Sequence, residues 1–139
     1  MPPADRRIGC KRRGLAIWVY GPLLPDTLAL IAAWGFTYDS DLLSWLKIIL
    51  KGEPRMGTGH TSRKTNEQML YAIMGAGLKR ADRGVRQAIL APRTQHGEKP
   101  EAAMAALERL FGEVRRLELF ARKHRDGWTC WGNQLPCHV

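Results

Sequence analysis

Polar side chains follow the last apolar stretch of this sequence at a spacing that suits a small-molecule site. The sequence predicts a strand over residues 114–120, and Arg122 and His124 follow this strand, two residues apart. Period-two spacing places both side chains on one side of the chain, just beyond the sheet. The guanidinium fork of an arginine suits hydroxyl groups or a carboxylate. A solvated basic turn over residues 122–125 is the alternative, and spacing alone leaves both interpretations open.

A pair of side-chain amides comes shortly afterwards. Gly132 begins a loop that carries Asn133 and Gln134. Their paired donors and acceptors suit ribose hydroxyls or the edge of an adenine. Loop amides also commonly cap the neighbouring backbone, so this pattern alone is a weak signal. Polar groups at the C-terminal ends of strands are nevertheless where α/β proteins bind small molecules.

Lys99 lies at the start of a predicted helix, where the helix dipole is positive. A cation there costs on the order of 0.3 to 1 kcal/mol unless an anion offsets it. The anion could be a bound ligand, or it could be supplied by Glu98 and Glu101 beside it in the sequence. The sequence leaves both possibilities open.

A basic loop is predicted over residues 51–64, which have several glycines and no apolar face. It could contact phosphates or a partner, or be a solvated surface loop. Its Gly57-Thr58-Gly59 lacks the context of a dinucleotide-binding motif, and nothing supports nucleotide hydrolysis. The candidate contact residues of the loop are Arg55, His60, Arg63 and Lys64.

The composition indicates one globular domain with a polyanionic partner. The chain has 139 residues, and 22 Lys and Arg against 13 Asp and Glu give a net charge of +9. Nucleic acid is the leading partner, although an acidic protein or a membrane surface would satisfy the same charge.

The cysteines argue against a disulfide framework. Cys10, Cys130 and Cys137 form an odd set without paired spacing, which favours a reducing compartment. Although His124 and His138 add further ligand types, no zinc-binding spacing occurs, and no metal site is predicted. Residues 15–20 are too short for a signal core or a membrane span, so we expect a soluble cytoplasmic protein.

The order of the predicted elements indicates α/β layers. Residues 1–13 are expected to be a flexible basic arm, and residues 14–139 the domain. Predicted strands cover residues 15–20, 41–50, 67–73, 85–90 and 114–120, with the third and fourth forming a hairpin-like pair. Helices are predicted from Pro25 to Gly35, and from Pro100, as first helical residue, to Gly112.

These pieces together resemble the MT-A type of adenine-N6 methyltransferases, which use S-adenosylmethionine and modify messenger RNA or, in bacteria and phages, DNA. The matching phrases run in the family's order over residues 15–135. They are Trp18-Val19, Trp34-Gly35-Phe36, Gly57-Thr58-Gly59-His60-Thr61-Ser62-Arg63, Ala91-Pro92-Arg93, His96-Gly97-Glu98-Lys99-Pro100-Glu101, Leu117-Glu118-Leu119-Phe120-Ala121-Arg122 and Trp131-Gly132-Asn133-Gln134-Leu135.

The resemblance implies a Rossmann-like α/β fold, with a mixed, mostly parallel sheet and flanking helices, and it implies roles for the candidate residues. Lys99 would bind the methionine carboxylate of the cofactor. Arg122, His124 and Asn133 would hold the ribose hydroxyls, and Gln134 would lie near the adenosine. Residues 96–99 would form a mobile loop over the site, and residues 55–64 a loop that meets substrate or a partner subunit.

The sequence departs from the family in one respect. The family's Asp-Pro-Pro-Trp tetrapeptide, which receives the target amine, occurs nowhere in this chain. A strand and the catalytic carboxylate would then be missing, as in an N-terminally truncated or degenerated member. A sheet edge next to Trp18 would be exposed, inviting pairing with another chain.

The expected function is therefore an adenine-N6 DNA methyltransferase-like domain, from a bacterium or a phage-infected cell, that keeps much of its S-adenosylmethionine site. DNA is favoured over RNA as the substrate, and methyl transfer by this chain alone is expected to be weak or absent. The alternative is a non-catalytic subunit that binds nucleic acid or a partner protein. A non-functional remnant that folds poorly is the third hypothesis.

Overall fold

The structure is a computed structural model that describes residues 12–95 and 97–136. In these ranges the elements are β1 (Arg12–Val19), α1 (Leu24–Ala33), β2 (Thr37–Ile48), β3 (Asn66–Gly75), β4 (Ala88–Pro92), α2 (Glu101–Phe111), β5 (Arg116–Leu119) and β6 (Trp128–Trp131), and a 3-10 turn (Gly21–Leu23) precedes α1. Strand β1 begins two residues before residue 14, where we expected the domain to begin. The remainder of the expected arm, residues 1–11, lies outside the described residues.

The main sheet has four strands in the order β1-β3-β2-β4. Strand β3 is antiparallel to both β1 and β2, and β4 is parallel to β2. The expectation of a mostly parallel sheet is therefore wrong for these four strands. The predicted hairpin-like pairing of residues 67–73 with 85–90 is also wrong, because β2 lies between β3 and β4. Residues 76–87, which connect β3 to β4, are long enough to cross over β2.

The last two strands form a separate parallel pair, with Arg116 opposite Trp128 and Leu119 opposite Trp131. Strand β5 agrees with the predicted strand at residues 114–120 but is shorter. Strand β6 was missed, because its four residues lie between Gly127 and Gly132 and resemble a loop.

Both helices begin and end close to the predicted positions. Helix α1 is followed by Gly35, whose φ of 82° suits glycine, and α2 is followed by Gly112 with a φ of 62°. Pro100 is the N-cap of α2 and not its first helical residue. A proline is compatible with both positions, so the sequence pattern did not separate them.

The core lies on both faces of the main sheet, one helix covering each face. Met69 of β3 packs with Met104 and Leu107 of α2, whereas Leu70 packs with Ile31 of α1. Adjacent residues of a strand point to opposite faces, so the two helices lie on opposite sides of the sheet. The α/β layering predicted from the element order is therefore observed.

None of the helices in the described part of the chain is long and apolar enough to span a membrane.

A substitution of Trp45 tests this description of the core. Trp45 is 2% exposed, and its indole Nε1 donates a hydrogen bond to the carbonyl oxygen of Ala91 at 2.9 Å. Trp45→Phe should lower the free energy of unfolding by about 1–3 kcal/mol, since the hydrogen bond is lost and its partly buried acceptor is left unpaired. Trp131→Phe is the control, as Trp131 is 62% exposed and should change stability by about 0.5 kcal/mol or less. Urea denaturation measures both, and equal losses would contradict this account of the core.

Candidate functional site

The carboxylate of Glu67, at the start of β3, lies between two lysine ammonium groups. Lys47 Nζ from β2 is 2.6 Å from Glu67 Oε1, and Lys99 Nζ, just before α2, contacts Glu67 Oε2. The Lys99 ammonium also lies 5.2 Å from the centre of the Trp18 ring at the end of β1. The side chains of the three ionic residues are 19% to 32% exposed. Three strands and a helix terminus therefore meet at one ionic cluster.

The carboxylate that offsets Lys99 is therefore Glu67 and not one of its sequence neighbours. Glu101 contacts Lys123 and lies 2.8 Å from Arg125, and Glu98 is 3.9 Å from Lys123. The interpretation in which Glu98 and Glu101 act as the counterions of Lys99 is thus not what the structure shows. Both carboxylates face the segment that follows β5.

A cavity of about 230 Å³ opens beside the ionic cluster. Trp18, Tyr20 and Lys64 contribute to its wall together with Glu67 and Lys99. The Lys64 ammonium lies 4.3 Å from the centre of the Tyr20 ring, and burial lowers the pKa of Lys64. Lys47 and Lys99 contact the Glu67 carboxylate, and Lys64 lines the cavity beside it. The lysines outnumber the carboxylate, and this excess of positive charge suits a bound anion.

The second half of the site forms at the carboxyl ends of β5 and β6. The backbone N–H of Ala121 donates to the carbonyl oxygen of Trp131 at 3.0 Å. A Cβ on Gly132 would collide with the backbone of Ala121, so glycine is required for this close approach. Arg122 Nε then donates to Gln134 Oε1 at 2.7 Å. Two of the predicted cofactor residues are thus brought into direct contact.

The remaining predicted cofactor residues lie near this contact. Asn133 precedes Gln134 and is exposed, and His124 is exposed on the segment beyond Arg122. Phe120, between β5 and Arg122, has a φ of 60° and a side chain that is 76% exposed. A positive φ at a bulky residue is uncommon and is found at binding sites more often than elsewhere.

The segment of residues 97–101 connects the two halves of the site. On one side Lys99 contacts Glu67, and on the other Glu98 and Glu101 face the segment after β5. Arg122 Nη1 would be 3.7 Å from a Cβ placed on Gly97. This short segment therefore carries Lys99 in one half of the site and lies beside Arg122 in the other. His96, the first residue of the predicted mobile loop, lies outside the described residues.

The basic loop contributes one residue to the site. Lys64 lines the cavity, whereas Arg55, His60 and Arg63 are exposed on the loop itself. Backbone hydrogen bonds from Arg55 to Lys47 at 2.7 Å and from Gly57 to Lys64 at 2.8 Å fix the two ends of the loop. No group of three His, Cys, Asp or Glu side chains that could hold a metal occurs within the described ranges.

Sequence reasoning missed Lys47 and Glu67. A signal was present, because Glu67 is the one charged residue of β3 and Lys47 the one cation of β2. A charge within an otherwise half-buried strand needs a partner. The sequence did not show that Lys47 and Glu67 form a pair, because it did not show that β2 and β3 are neighbours.

The ionic cluster makes stability sensitive to acid. Burial raises the pKa of Glu67, but hydrogen bonds from Lys47 and Lys99 outweigh burial and hold its pKa below the ordinary value of 4.5. A carboxylate with a depressed pKa stabilises the fold above its unfolded pKa, and this contribution is lost as pH falls through the folded pKa. The stability difference between the native protein and Glu67→Gln should therefore be constant near neutral pH and shrink below about pH 4.5.

Urea denaturation at a series of pH values measures this difference. Glu53→Gln is the control, because Glu53 is exposed and forms no ion pair with another described residue. A Glu67→Gln difference that stays the same on acidification would refute the assigned role of the cluster.

Comparison with known proteins identifies the family. The sequence profile of the MT-A70 family matches residues 8–134. The Type II methyltransferase M.MunI of Mycoplasma sp. is 30% identical over 88% of this chain and 50% of its own length. The N6-methyladenosine RNA methyltransferase MTA1 of Cryphonectria parasitica is 33% identical over 87% of this chain and 37% of its own length.

A plant relative, the N(6)-adenosine-methyltransferase MT-A70-like protein of Arabidopsis thaliana, is 31% identical over 86% of this chain and 18% of its own length. The chain thus spans half or less of the length of these relatives. Because the family profile covers nearly the whole sequence, the resemblance drawn from the motifs is confirmed. The chain belongs to the MT-A70 family of methyltransferases.

Proposed function

We propose that this chain forms the S-adenosylmethionine-binding part of an adenine-N6 DNA methyltransferase. The observation that carries the proposal is that one short segment, residues 97–101, carries Lys99 into the ionic cluster and also lies beside Arg122, which is bonded to Gln134. Positively charged and polar groups meet there at the ends of three strands and the start of a helix. This is the type of location where α/β proteins bind small molecules.

The residues present fit the proposed cofactor. Lys99, in a region where lysines outnumber the one carboxylate, would bind the methionine carboxylate. Arg122, His124 and Asn133 would hold the ribose hydroxyls, and Gln134 would lie near the adenosine. When bound, the cofactor supplies an electrophilic methyl group.

Methyl transfer places a further demand on the protein. The exocyclic amine of adenine is a poor nucleophile, because its lone pair is delocalised into the ring. Attack therefore needs orientation and a hydrogen-bond acceptor at the amine, and the base must be unstacked. The sequence contains no Asp-Pro-Pro-Trp to supply that acceptor. We propose that this chain alone transfers methyl groups weakly or not at all.

The sheet supports a related proposal about assembly. Strand β1 has one neighbour, β3, among the described strands, and the β5–β6 pair is not joined to the main sheet. A two-stranded sheet has little independent stability, and an open strand edge accepts a further strand. We propose that an additional strand beside β1 completes a Rossmann-like sheet, supplied by another chain or a further segment.

A non-catalytic subunit that binds nucleic acid is the second candidate function. It is favoured by the net charge of +9 and by the exposed Arg55 and Arg63 of the basic loop. Salt-dependent retention on DNA without a calorimetric signal for S-adenosylmethionine would favour this alternative over the first proposal.

Lys99→Ala should weaken S-adenosylmethionine binding about 10- to 100-fold, since a charged hydrogen bond contributes about 1.5–3 kcal/mol. Isothermal titration calorimetry measures the dissociation constant. Lys51→Ala removes the same charge from an exposed position outside the site and should bind the cofactor as the native protein does. Equal affinity of the native and Lys99→Ala proteins would remove Lys99 from the proposed site.

Transfer of a labelled methyl group to adenine-containing duplex DNA tests the activity. The isolated chain should show little or no incorporation above a no-enzyme background, because the amine lacks its acceptor. Adenine-containing RNA is assayed in parallel, and inosine-containing oligonucleotides, which lack the amine, serve as the substrate control. Robust turnover by the isolated chain would disprove the proposed dependence on an acceptor from elsewhere.

A further inference from the structure

A group of exposed cations lies on the connection between β3 and β4 and just after the carboxyl end of α2. Four of them lie in the connection between β3 and β4, and the fifth follows α2. We call them the α2-end cluster: Lys79, Arg80, Arg83, Arg86 and Arg115. All five side chains are exposed.

The connection is fixed against α2, although it has no regular secondary structure. The backbone N–H of Ala81 donates to the carbonyl oxygen of Leu110 at 2.7 Å, and Arg109 Nη2 is 2.7 Å from Asp82 Oδ2. At the far end, Ser44 of β2 donates its backbone N–H to the carbonyl oxygen of Gln87 at 2.9 Å. The backbone that carries the cations of the connection is therefore fixed by contacts with α2 and β2.

The charges of the cluster are only partly balanced by nearby carboxylates, since the exposed Glu113 beside Arg115 offsets at most one of them. Asp82 is already paired with Arg109, and none of the five cations forms an ion pair with a residue in the described ranges. The negative end of the α2 dipole favours a cation in the last turn, but Arg109 occupies that position. Neither the fold nor local ion pairing accounts for five further positive charges in one region.

Most of the cluster lies at the opposite end of β3 and α2 from the candidate cofactor site. The site uses the end of β1, the start of β3 and the start of α2, whereas Lys79, Arg80 and Arg115 follow the end of β3 or of α2. Arg86 is nearer to the site, because the adjacent Gln87 is hydrogen-bonded to Ser44, which lies opposite Gln68. The 10-residue strand β3 and the 11-residue helix α2 separate Lys79, Arg80 and Arg115 from the site by on the order of 20 Å. That distance corresponds to roughly six base pairs at about 3.4 Å each.

We propose that the α2-end cluster binds the phosphate backbone of a nucleic acid. Exposed and fixed arginines that are only partly compensated are the groups that contact phosphates without reading sequence. This inference deepens the proposed function, because the contacted nucleic acid would be the methylation substrate. The contact itself does not require a bound cofactor.

The test compares two variants that each lower the net charge by two. Arg80→Gln with Arg83→Gln neutralises part of the cluster, and Ala29→Glu with Ala32→Glu changes exposed positions on α1. Fluorescence anisotropy with a 20-base-pair DNA duplex, chosen as roughly one site plus the span to the cluster, gives the affinity at several salt concentrations. Thermal unfolding establishes that both variants remain folded.

The cluster variant should bind DNA on the order of tenfold more weakly. The slope of log affinity against log salt concentration should become shallower, by an amount that corresponds to about two phosphate contacts. The control variant should keep the salt dependence of the native protein. Equal losses in both variants, or an unchanged salt dependence in the cluster variant, would overturn the proposal. Single-stranded RNA is measured in the same way, and a loss with either nucleic acid supports a phosphate contact.

Two further measurements separate the sources of failure. The two variants should bind phosphatidylserine vesicles equally well. If the cluster variant loses binding to vesicles but not to nucleic acid, the cluster binds a membrane surface and the proposal is overturned. Calorimetry with S-adenosylmethionine should give the same affinity for the native and cluster-variant proteins. Absence of cofactor binding with DNA binding intact would refute the proposed function and leave the phosphate contact supported.

Discussion

The ion pairs of Glu67 with Lys47 and Lys99 are the constraint on which the site depends. They join residues that are 20 and 32 positions apart in the sequence, and they fix the start of α2 against β2 and β3. The position of Lys99 in turn sets residues 97–101, whose carboxylates face Lys123 and Arg125. The Arg122–Gln134 contact lies on the far side of that segment. One partly buried carboxylate therefore fixes the half of the site at the cavity, whereas the pairing of β5 with β6 fixes the other half.

An ionic cluster of this kind is an inefficient way to stabilise a sheet. Desolvation of charged groups offsets much of their attraction, and apolar residues of similar volume often serve stability equally well. The cluster also holds more positive than negative charge, since Lys64 reaches the same cavity. An arrangement that favours an incoming anion at some expense of stability is what a binding site requires.

The elements of this fold were more predictable from sequence than the contacts between them. Helix α2 followed from the helical spacing of Met104, Leu107 and Phe111, and β1 from a continuous apolar run. Strand pairing failed, because apolar runs show which residues are buried but not which strand lies beside them. The position of β2 between β3 and β4 depends on tertiary packing.

The site was predictable to a similar extent. The residues after β5, the amide loop and Lys99 were recognisable by type, and the structure brings Arg122 and Gln134 together. The counterion of Lys99 was sought among its sequence neighbours, but it comes from a strand whose register was unknown. Local charge patterns identify groups that need a partner, whereas the partner's identity is a property of the assembled sheet. The same holds for the α2-end cluster: four of its cations are close in the sequence, but Arg115 joins them only in the fold, where Ala81 is hydrogen-bonded to Leu110.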